Sequence, residues 1–166
     1  NAEHWIIYIF TPDPVDDNQI SFGLESGPNE YRRARVMHSE ELGRNGFLIY
    51  GNSTHDGGYK EDSGFEQQKI NLVHQYEADK LNIKSVFSAT NLNQETAGFI
   101  KGFSAYKESS RKRENPNPEA FRDAQAMRFY SRLTFKLTST DTLSIAPFLR
   151  HTDMAFLQHF LPWKSL

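Results

Sequence analysis

Four cations lie close together in the longest polar stretch of the sequence, namely Lys107 and the run Arg111, Lys112 and Arg113. Such a cluster attracts an anionic ligand over a long range. The more ordinary interpretation is a solvated run of loop charges. The aromatic residues in comparable polar segments are Tyr59, Phe99, Phe103 and Tyr106. Their rings could stack on an aromatic ligand, although loop packing is the commoner role of such residues.

Three further arginines, Arg128, Arg132 and Arg150, fall on the polar sides of segments that alternate between apolar and polar residues. Alternation with a period of two is typical of a strand with one apolar and one wet face. We expect these arginines to line a polar interior and to form structural ion pairs there. Direct contact with a ligand is the alternative.

The sequence favours no enzyme and no metal site. It has no nucleophile elbow, P-loop, dinucleotide fingerprint or HExxH motif. Two pairs come nearest to metal-ligand spacing, His55 with Asp56 and His151 with Asp153, and neither is convincing. The remaining histidines are His4, His38, His74 and His159. We therefore expect neither a catalytic residue nor a cofactor.

Composition sets loose bounds on the class of protein. The 166 residues carry a net charge of −2 and include no cysteine, which argues against nucleic-acid binding driven by overall charge and against a disulfide framework. No apolar run is long enough for a transmembrane helix, which needs about 18 residues. The chain begins without Met or a signal segment and stops in an apolar run, so we expect a fragment of a longer protein.

Alternation and turn signals together predict an all-β, antiparallel fold. Residues 5–10 form a continuous apolar run that predicts one buried strand, ended by the prolines of the following linker. The other predicted strands are 19–25, 31–39, 47–54, 68–76, 81–89, 127–137 and 143–152. Connections are short after the second, fourth and sixth of these strands and longer after the third and fifth, where residues 91–124 form a long loop. Short turns alternating with long loops are typical of outer-membrane barrels, although a soluble β-sandwich gives similar strand patterns.

Four stretches together resemble part of a TonB-dependent outer-membrane receptor. The segment NAEHWIIYIFTPDP resembles the last strand of that family's plug domain, and SGPNEYRRARV resembles the first barrel hairpin. Residues 58–102, from GYKEDSGF to GFIKG, resemble the second and third outer-loop region. The segment NPNPEAFRDAQAMRFYSRLTF, followed by PFLRHTDMAFLQHFLP, resembles the barrel strands after it. The stretches occur in family order and span nearly the whole chain.

This resemblance implies a fold and a function. Residues 1–16 would be the end of the plug domain and a linker, and residues 17–166 the first part of a transmembrane β-barrel, about seven of roughly 22 strands. The function would be import of a scarce nutrient, such as a ferric siderophore, across the bacterial outer membrane. The partners would be TonB, through a segment absent here, and the lipid and lipopolysaccharide of that membrane. The cluster at 111–113, with Tyr59 and Tyr106, would then attract the ligand or contact lipopolysaccharide phosphates, and the three arginines would line the lumen and pair with plug carboxylates.

Two other classes of function stay open at this point. One is a soluble β-barrel or sandwich that binds a small ligand, in which the apolar residues point inward and Arg128, Arg132 and Lys136 face water. In a membrane barrel the apolar residues point to lipid instead, so the orientation of the two faces distinguishes these alternatives. The other is an outer-membrane lipase or protease barrel, which requires a catalytic site that the sequence does not provide.

Overall fold

The computed structural model describes residues 13–14 and 18–158. One turn of 3₁₀ helix, Ala105–Lys107, is the only helical element in this part of the chain. The rest of the regular structure is β-strand. The strands are β1 (Gln19–Ser26), β2 (Arg32–Leu42), β3 (Asn45–Asp56), β4 (Phe65–Glu77), β5 (Leu81–Glu95), β6 (Phe121–Lys136), β7 (Thr142–Ile145) and β8 (Phe148–Leu157).

All strands belong to one antiparallel meander. Each strand from β1 to β6 pairs with the next along the chain, and both β7 and β8 pair with β6. Among the described residues β1 and β8 do not pair with each other, so this eight-stranded sheet is open. The prediction of an all-β antiparallel meander is confirmed.

The strands predicted between residues 19 and 152 are present, and β5 and β6 exceed their predicted bounds most. β5 continues to Glu95 and β6 begins at Phe121, so the connection predicted for 91–124 is shorter and comprises residues 96–120. The extension is held by ladder pairs such as Asn91 with Gln125 and Asn93 with Asp123. Polar residues occupy one face of this extension, so the alternation that marks a half-buried strand fades from the sequence.

The last predicted strand, 143–152, is divided into β7 and β8 at Pro147. The register does not change across this break, because Ile145 lies opposite Leu133 and Phe148 lies opposite Tyr130. Proline has no N–H to give to the ladder, but its carbonyl oxygen still accepts a hydrogen bond from the Ser131 N–H at 3.0 Å. The two strands therefore form one line beside β6.

The ladders run without a bulge, so residues directly opposite one another share a face across the whole sheet. One face, called here the apolar face, is largely aliphatic and aromatic. Its apolar members include Ile20, Phe22, Leu24, Val36, Phe47, Ile49, Ile70, Leu72, Ile83, Phe87, Ala89, Met127, Phe129, Leu133, Ile145 and Leu149. Many of these side chains are exposed, and Phe22 exposes 70% of its surface.

The opposite face, called here the polar face, carries most of the strand cations. They are Arg33, Arg35, Lys69, Lys84, Arg122, Arg128, Arg132, Lys136 and Arg150. The buried apolar cluster lies on this face too, as a single register row through Leu48, Val73 and Val86. Val73 is only 2% exposed. The polar face is thus where the packed interior lies, while the larger hydrophobic surface points away from it.

The described linker residues lie against the polar face. Pro14 is buried, and a Cβ added to Gly46 would stand 2.9 Å from its ring. Asp13 forms an ion pair with Lys84 of β5. The predicted buried strand at 5–10 lies outside the described residues, as does most of the segment 1–16 that we assigned to the end of a plug domain.

The two ends of the sheet differ in the length of their connections. At the turn end, residues 43–44, 78–80 and 137–141 join the strands, and Gly43 takes the positive φ of 64° that its tight turn requires. At the loop end the connections are 27–31, 57–64 and 96–120. Within the described residues no helix is both long and apolar enough to cross a membrane.

Candidate ligand-binding surface at the loop end

The loops 57–64 and 96–120 dock on each other and form one surface. The Glu61 N–H donates to the Arg113 carbonyl oxygen at 2.8 Å, and the Asn115 side-chain amide donates to the Asp62 carbonyl oxygen at the same distance. The Lys60 ammonium donates to the Gly98 carbonyl oxygen at 2.7 Å. Because these bonds join backbone to backbone and side chain to backbone, the relative position of the two loops is fixed at several points.

The shorter loop is held in shape by its own polar groups. Gly58 has a φ of 80°, and its N–H donates to Asp56 Oδ1 at 2.8 Å. The Ser63 hydroxyl donates to the Lys60 carbonyl oxygen at 2.7 Å and accepts from the Lys60 N–H at 3.1 Å. The Gly57 N–H donates to the Asn29 carbonyl oxygen at 2.8 Å, which connects this loop to the loop at residues 27–31.

The three cations of the predicted cluster have different roles. Arg111 lies 3.7 Å from Glu108 and 3.5 Å from Glu114, and it also donates to the Lys101 carbonyl oxygen at 2.8 Å. Its charge is therefore largely compensated, and it holds the loop together. Lys112 is exposed, and its ammonium has no partner in the described part of the chain. Arg113 is also exposed and lies over the Tyr59 ring, 5.7 Å from the ring centre.

The aromatic side chains of this surface point largely into solvent. Tyr59 is 51% exposed and Tyr106 is 69% exposed, with the Lys107 ammonium 5.7 Å from the centre of the Tyr106 ring. Phe103 is fully exposed, and Phe99 is largely exposed. Exposed rings beside cations can stack on a flat anionic ligand and attract it at the same time.

The arginines predicted to line an interior share the polar face. Arg128 lies directly opposite Arg150, and Arg132 lies directly opposite Lys84. Like charges in such positions repel each other, and within the described residues neither Arg128 nor Arg132 has an acidic partner. Arg150 Nε donates to the Thr152 hydroxyl at 3.4 Å. The alternation in the sequence predicted that these cations share a face. Which cations lie opposite each other could not be predicted without knowing the register of the strands.

No metal centre forms among residues 13–14 and 18–158, where no group of three His, Cys, Asp or Glu side chains could hold an ion. His55 lies 3.3 Å from Glu66 and 3.8 Å from Glu30, whereas Asp56 turns to the Gly58 N–H. His151 and Asp153 occupy different register rows of the apolar face. His4 and His159 lie outside the described residues.

No residue pattern in the sequence indicates that the loops dock on each other through Lys60, Asp62 and Asn115. Backbone carbonyl acceptors leave no residue pattern, so only the strand register, which brings β3, β4, β5 and β6 side by side, could have suggested the contact.

A scan against known protein-family models finds no match, and a search of curated proteins finds no similar sequence.

Proposed function

We propose that this chain is part of a TonB-dependent receptor of the bacterial outer membrane, which binds a scarce nutrient such as a ferric siderophore and imports it. The observation that carries the proposal is the orientation of the two faces. The face with the larger hydrophobic surface is exposed, whereas the face with the cations holds the buried cluster. A soluble barrel would need the opposite arrangement, because its apolar side chains fill the interior.

The dimensions of the apolar face suit a membrane. On β6 it runs from Met127 to Phe135 and is interrupted only by Ser131. Eight steps along a strand span about 26 Å. At the strand tilt of about 40° found in outer-membrane barrels, that length covers roughly 20 Å of depth, close to their apolar band of about 25 Å.

Ser131, the polar residue within this apolar stretch of β6, is hydrogen bonded to the neighbouring strand. Ser85 and Ser131 lie opposite each other on β5 and β6, and their hydroxyl oxygens are 2.8 Å apart. A hydroxyl that faces hydrocarbon is costly unless it is hydrogen bonded. The pair therefore makes two polar residues compatible with a lipid-facing surface.

The connections support the same orientation. Short turns at one end and long loops at the other are the arrangement of outer-membrane barrels, with the loops outside the cell. The loop-end surface, with Tyr59, Tyr106, Lys112 and Arg113, would then meet the ligand first. The cations Arg128, Arg132 and Arg150 would line the lumen and face the carboxylates of an enclosed plug, and TonB would contact a segment of that plug. The proposal assigns no catalytic role.

The test is the uptake of radiolabelled iron, supplied as ferric siderophores, by cells that contain or lack the intact protein. Uptake of at least one chelate is expected to require both this protein and TonB. Iron uptake that is unchanged by deletion of the gene, over a panel of hydroxamate and catecholate chelates, would count against this cargo. A protein recovered in the aqueous fraction without detergent would contradict the membrane assignment itself.

A further inference from the structure

The part of the sheet nearest the loops sorts its charges between the two faces. From the level of Arg128 to the loop end, the polar face of β4, β5, β6 and β8 carries cations and no carboxylate. The cations are Lys69, Arg122, Arg128 and Arg150. The other side of the same strand segments carries carboxylates and neither Lys nor Arg, with His151 opposite Met127. The carboxylates are Glu66, Glu95, Asp123 and Asp153.

The cations of this part of the polar face are not neutralised from the neighbouring strands. Glu25 of β1 lies 3.4 Å from Arg35, and Asp56 of β3 accepts a hydrogen bond from the Gly58 N–H at 2.8 Å. Neither Lys69 nor Arg122 has a carboxylate partner among the residues that the structure describes. The polar face near the loops therefore presents positive charge, which draws an anion toward it.

Arg122 is the cation nearest the loops, and it lies too far from Arg128 to share the same plug carboxylates. Six residue steps separate the two on β6, about 20 Å along the strand. That distance is about two Debye lengths at 0.1 M salt. Arg122 is exposed and lies directly opposite Phe156 of β8, whose side chain is 56% exposed. This pair therefore offers a cation and a ring to a ligand.

An apolar row lies next to this pair on the polar face. Leu92, Ala124 and Met154 are opposite one another on β5, β6 and β8. Ala124 is small and its two neighbours are long, and Met154 is 52% exposed. A flat ring can lie over Ala124 between these neighbours, with Phe156 at its edge. Thioether and aromatic side chains both make favourable contacts with such a ring.

The same combination of a cation and an exposed ring occurs on the loops. Arg113 lies over the Tyr59 ring and Lys107 over the Tyr106 ring, each 5.7 Å from the ring centre. A molecule that is anionic and carries several aromatic rings is complementary to these pairs and to the pair on the polar face. A neutral aliphatic molecule is complementary to none of them.

We propose that the cargo is an aromatic, anionic iron chelate of the catecholate class, and that Arg122, Met154 and Phe156 form a subsite for it on the polar face. A ferric tris-catecholate is a net anion whose iron ligands are aromatic, whereas an aliphatic ferric tris-hydroxamate is neutral and has no ring. The inference rests on the proposed function, because it requires the polar face to line the lumen and the cargo to be a ferric siderophore.

The test is equilibrium binding of ferric chelates to the intact protein in a mild detergent. The probes are a tris-catecholate, an aliphatic tris-hydroxamate and an aliphatic polycarboxylate, each loaded with Fe³⁺. We expect the tris-catecholate to bind at least about tenfold more tightly than either of the others, which corresponds to roughly 1.4 kcal/mol. Equal or tighter binding of the hydroxamate or the polycarboxylate would overturn the proposal, and so would failure to bind the tris-catecholate.

Two variants with matched controls test the subsite itself. Arg122→Gln should weaken tris-catecholate binding about fivefold at low salt and less at high salt. Asp123→Asn, the next residue on β6 and on the opposite face, should change it less than about twofold. Phe156→Leu should weaken binding about threefold through loss of the ring. Its control is Phe148→Leu, on the same face of β8 but nearer the turn end and 81% exposed, which should leave binding unchanged.

Both Arg122 and Phe156 are exposed, so these substitutions remove no packed side chain. If either control weakens binding as much as its partner variant, the subsite is wrong. Failure of the proposed function gives a different result. If the tris-catecholate binds as expected but no iron enters the cell, the transport proposal is wrong and the subsite stands. If only ferric hydroxamates are bound and imported, the subsite is wrong and the transport proposal stands.

Discussion

Replacing Phe87 with Arg tests the orientation of the apolar face in energetic terms. Phe87 lies between Leu72 and Phe129 in the ladder, two residues from Ser85 at the middle of the apolar stretch of β5. Two residues correspond to about 6.6 Å along the strand, or about 5 Å of depth at a 40° tilt. A lipid-facing Arg costs about 2–4 kcal/mol at the midplane and about 0–1 kcal/mol near the interface. Interpolation gives about 2 kcal/mol for Phe87→Arg, about a 30-fold change in the folding equilibrium.

The matched control is Ser88→Arg, one residue further along β5 and on the polar face. Ser88 lies opposite Arg128, so the new charge meets a like charge, at a cost below about 1 kcal/mol. The assay is reversible urea unfolding of the intact protein from phosphatidylcholine vesicles, with free energies of unfolding for the wild type and both variants. If Ser88→Arg destabilises more than Phe87→Arg, or if both lie within 0.5 kcal/mol of the wild type, the assignment of the faces is wrong.

Three further predictions concern the loops and the middle of the sheet. Serine at all of positions 111–113 should weaken binding of an anionic ferric chelate several-fold at low salt and little at high salt, and equal affinity at low salt would remove this cluster from the account. Ser85→Ala and Ser131→Ala should show a coupling energy of about 0.6 kcal/mol in a double-mutant cycle, as expected for a hydrogen bond in lipid, and zero coupling would contradict the pairing. Gly58→Ala should speed proteolysis of the docked loops, because Gly58 has a positive φ and its added Cβ would come within 2.6 Å of the Ser63 carbonyl carbon. Unchanged cleavage rates would show that the loops do not depend on this turn.

The middle parts of the strands could be predicted from the sequence because alternation is strongest there. Along 127–137 every apolar residue predicted for one face has the same parity, and the structure places Met127, Phe129, Leu133 and Phe135 together on the apolar face. Leu137 was predicted to be the last residue of this strand, but β6 ends one residue earlier, at Lys136. The Leu137 N–H donates instead to the Asp141 carbonyl oxygen in the turn.

The ends of the strands could not be predicted in the same way. Beyond Ala89 on β5 the residues that share its face are Asn91, Asn93 and Glu95, so polar side chains replace the apolar ones on which alternation depends. The ladder continues because backbone hydrogen bonds do not require apolar side chains. The position of Pro147 within an otherwise continuous line was likewise invisible to alternation, because its effect is the loss of one donor.

Within the candidate site, the sequence analysis treated the cations at 111–113 as one cluster with a single role. Arg111, Lys112 and Arg113 looked equivalent as a run of charges. The structure gives Arg111 two carboxylate neighbours, places Arg113 over Tyr59 and leaves Lys112 exposed. Such differences depend on which groups the loop brings near each side chain, and neither spacing nor charge encodes that.

Two neighbouring positions on β6 show directly which face of the sheet contacts lipid. These 166 residues contain no cysteine, so within them Phe129→Cys and Arg128→Cys each provide a single site for a fluorescent label. The labelled proteins are reconstituted into vesicles with brominated lipid, which quenches fluorophores in the hydrocarbon region. We expect strong quenching at position 129 and little at position 128. Strong quenching at 128, or a label at 129 that is quenched only by aqueous iodide, would contradict it.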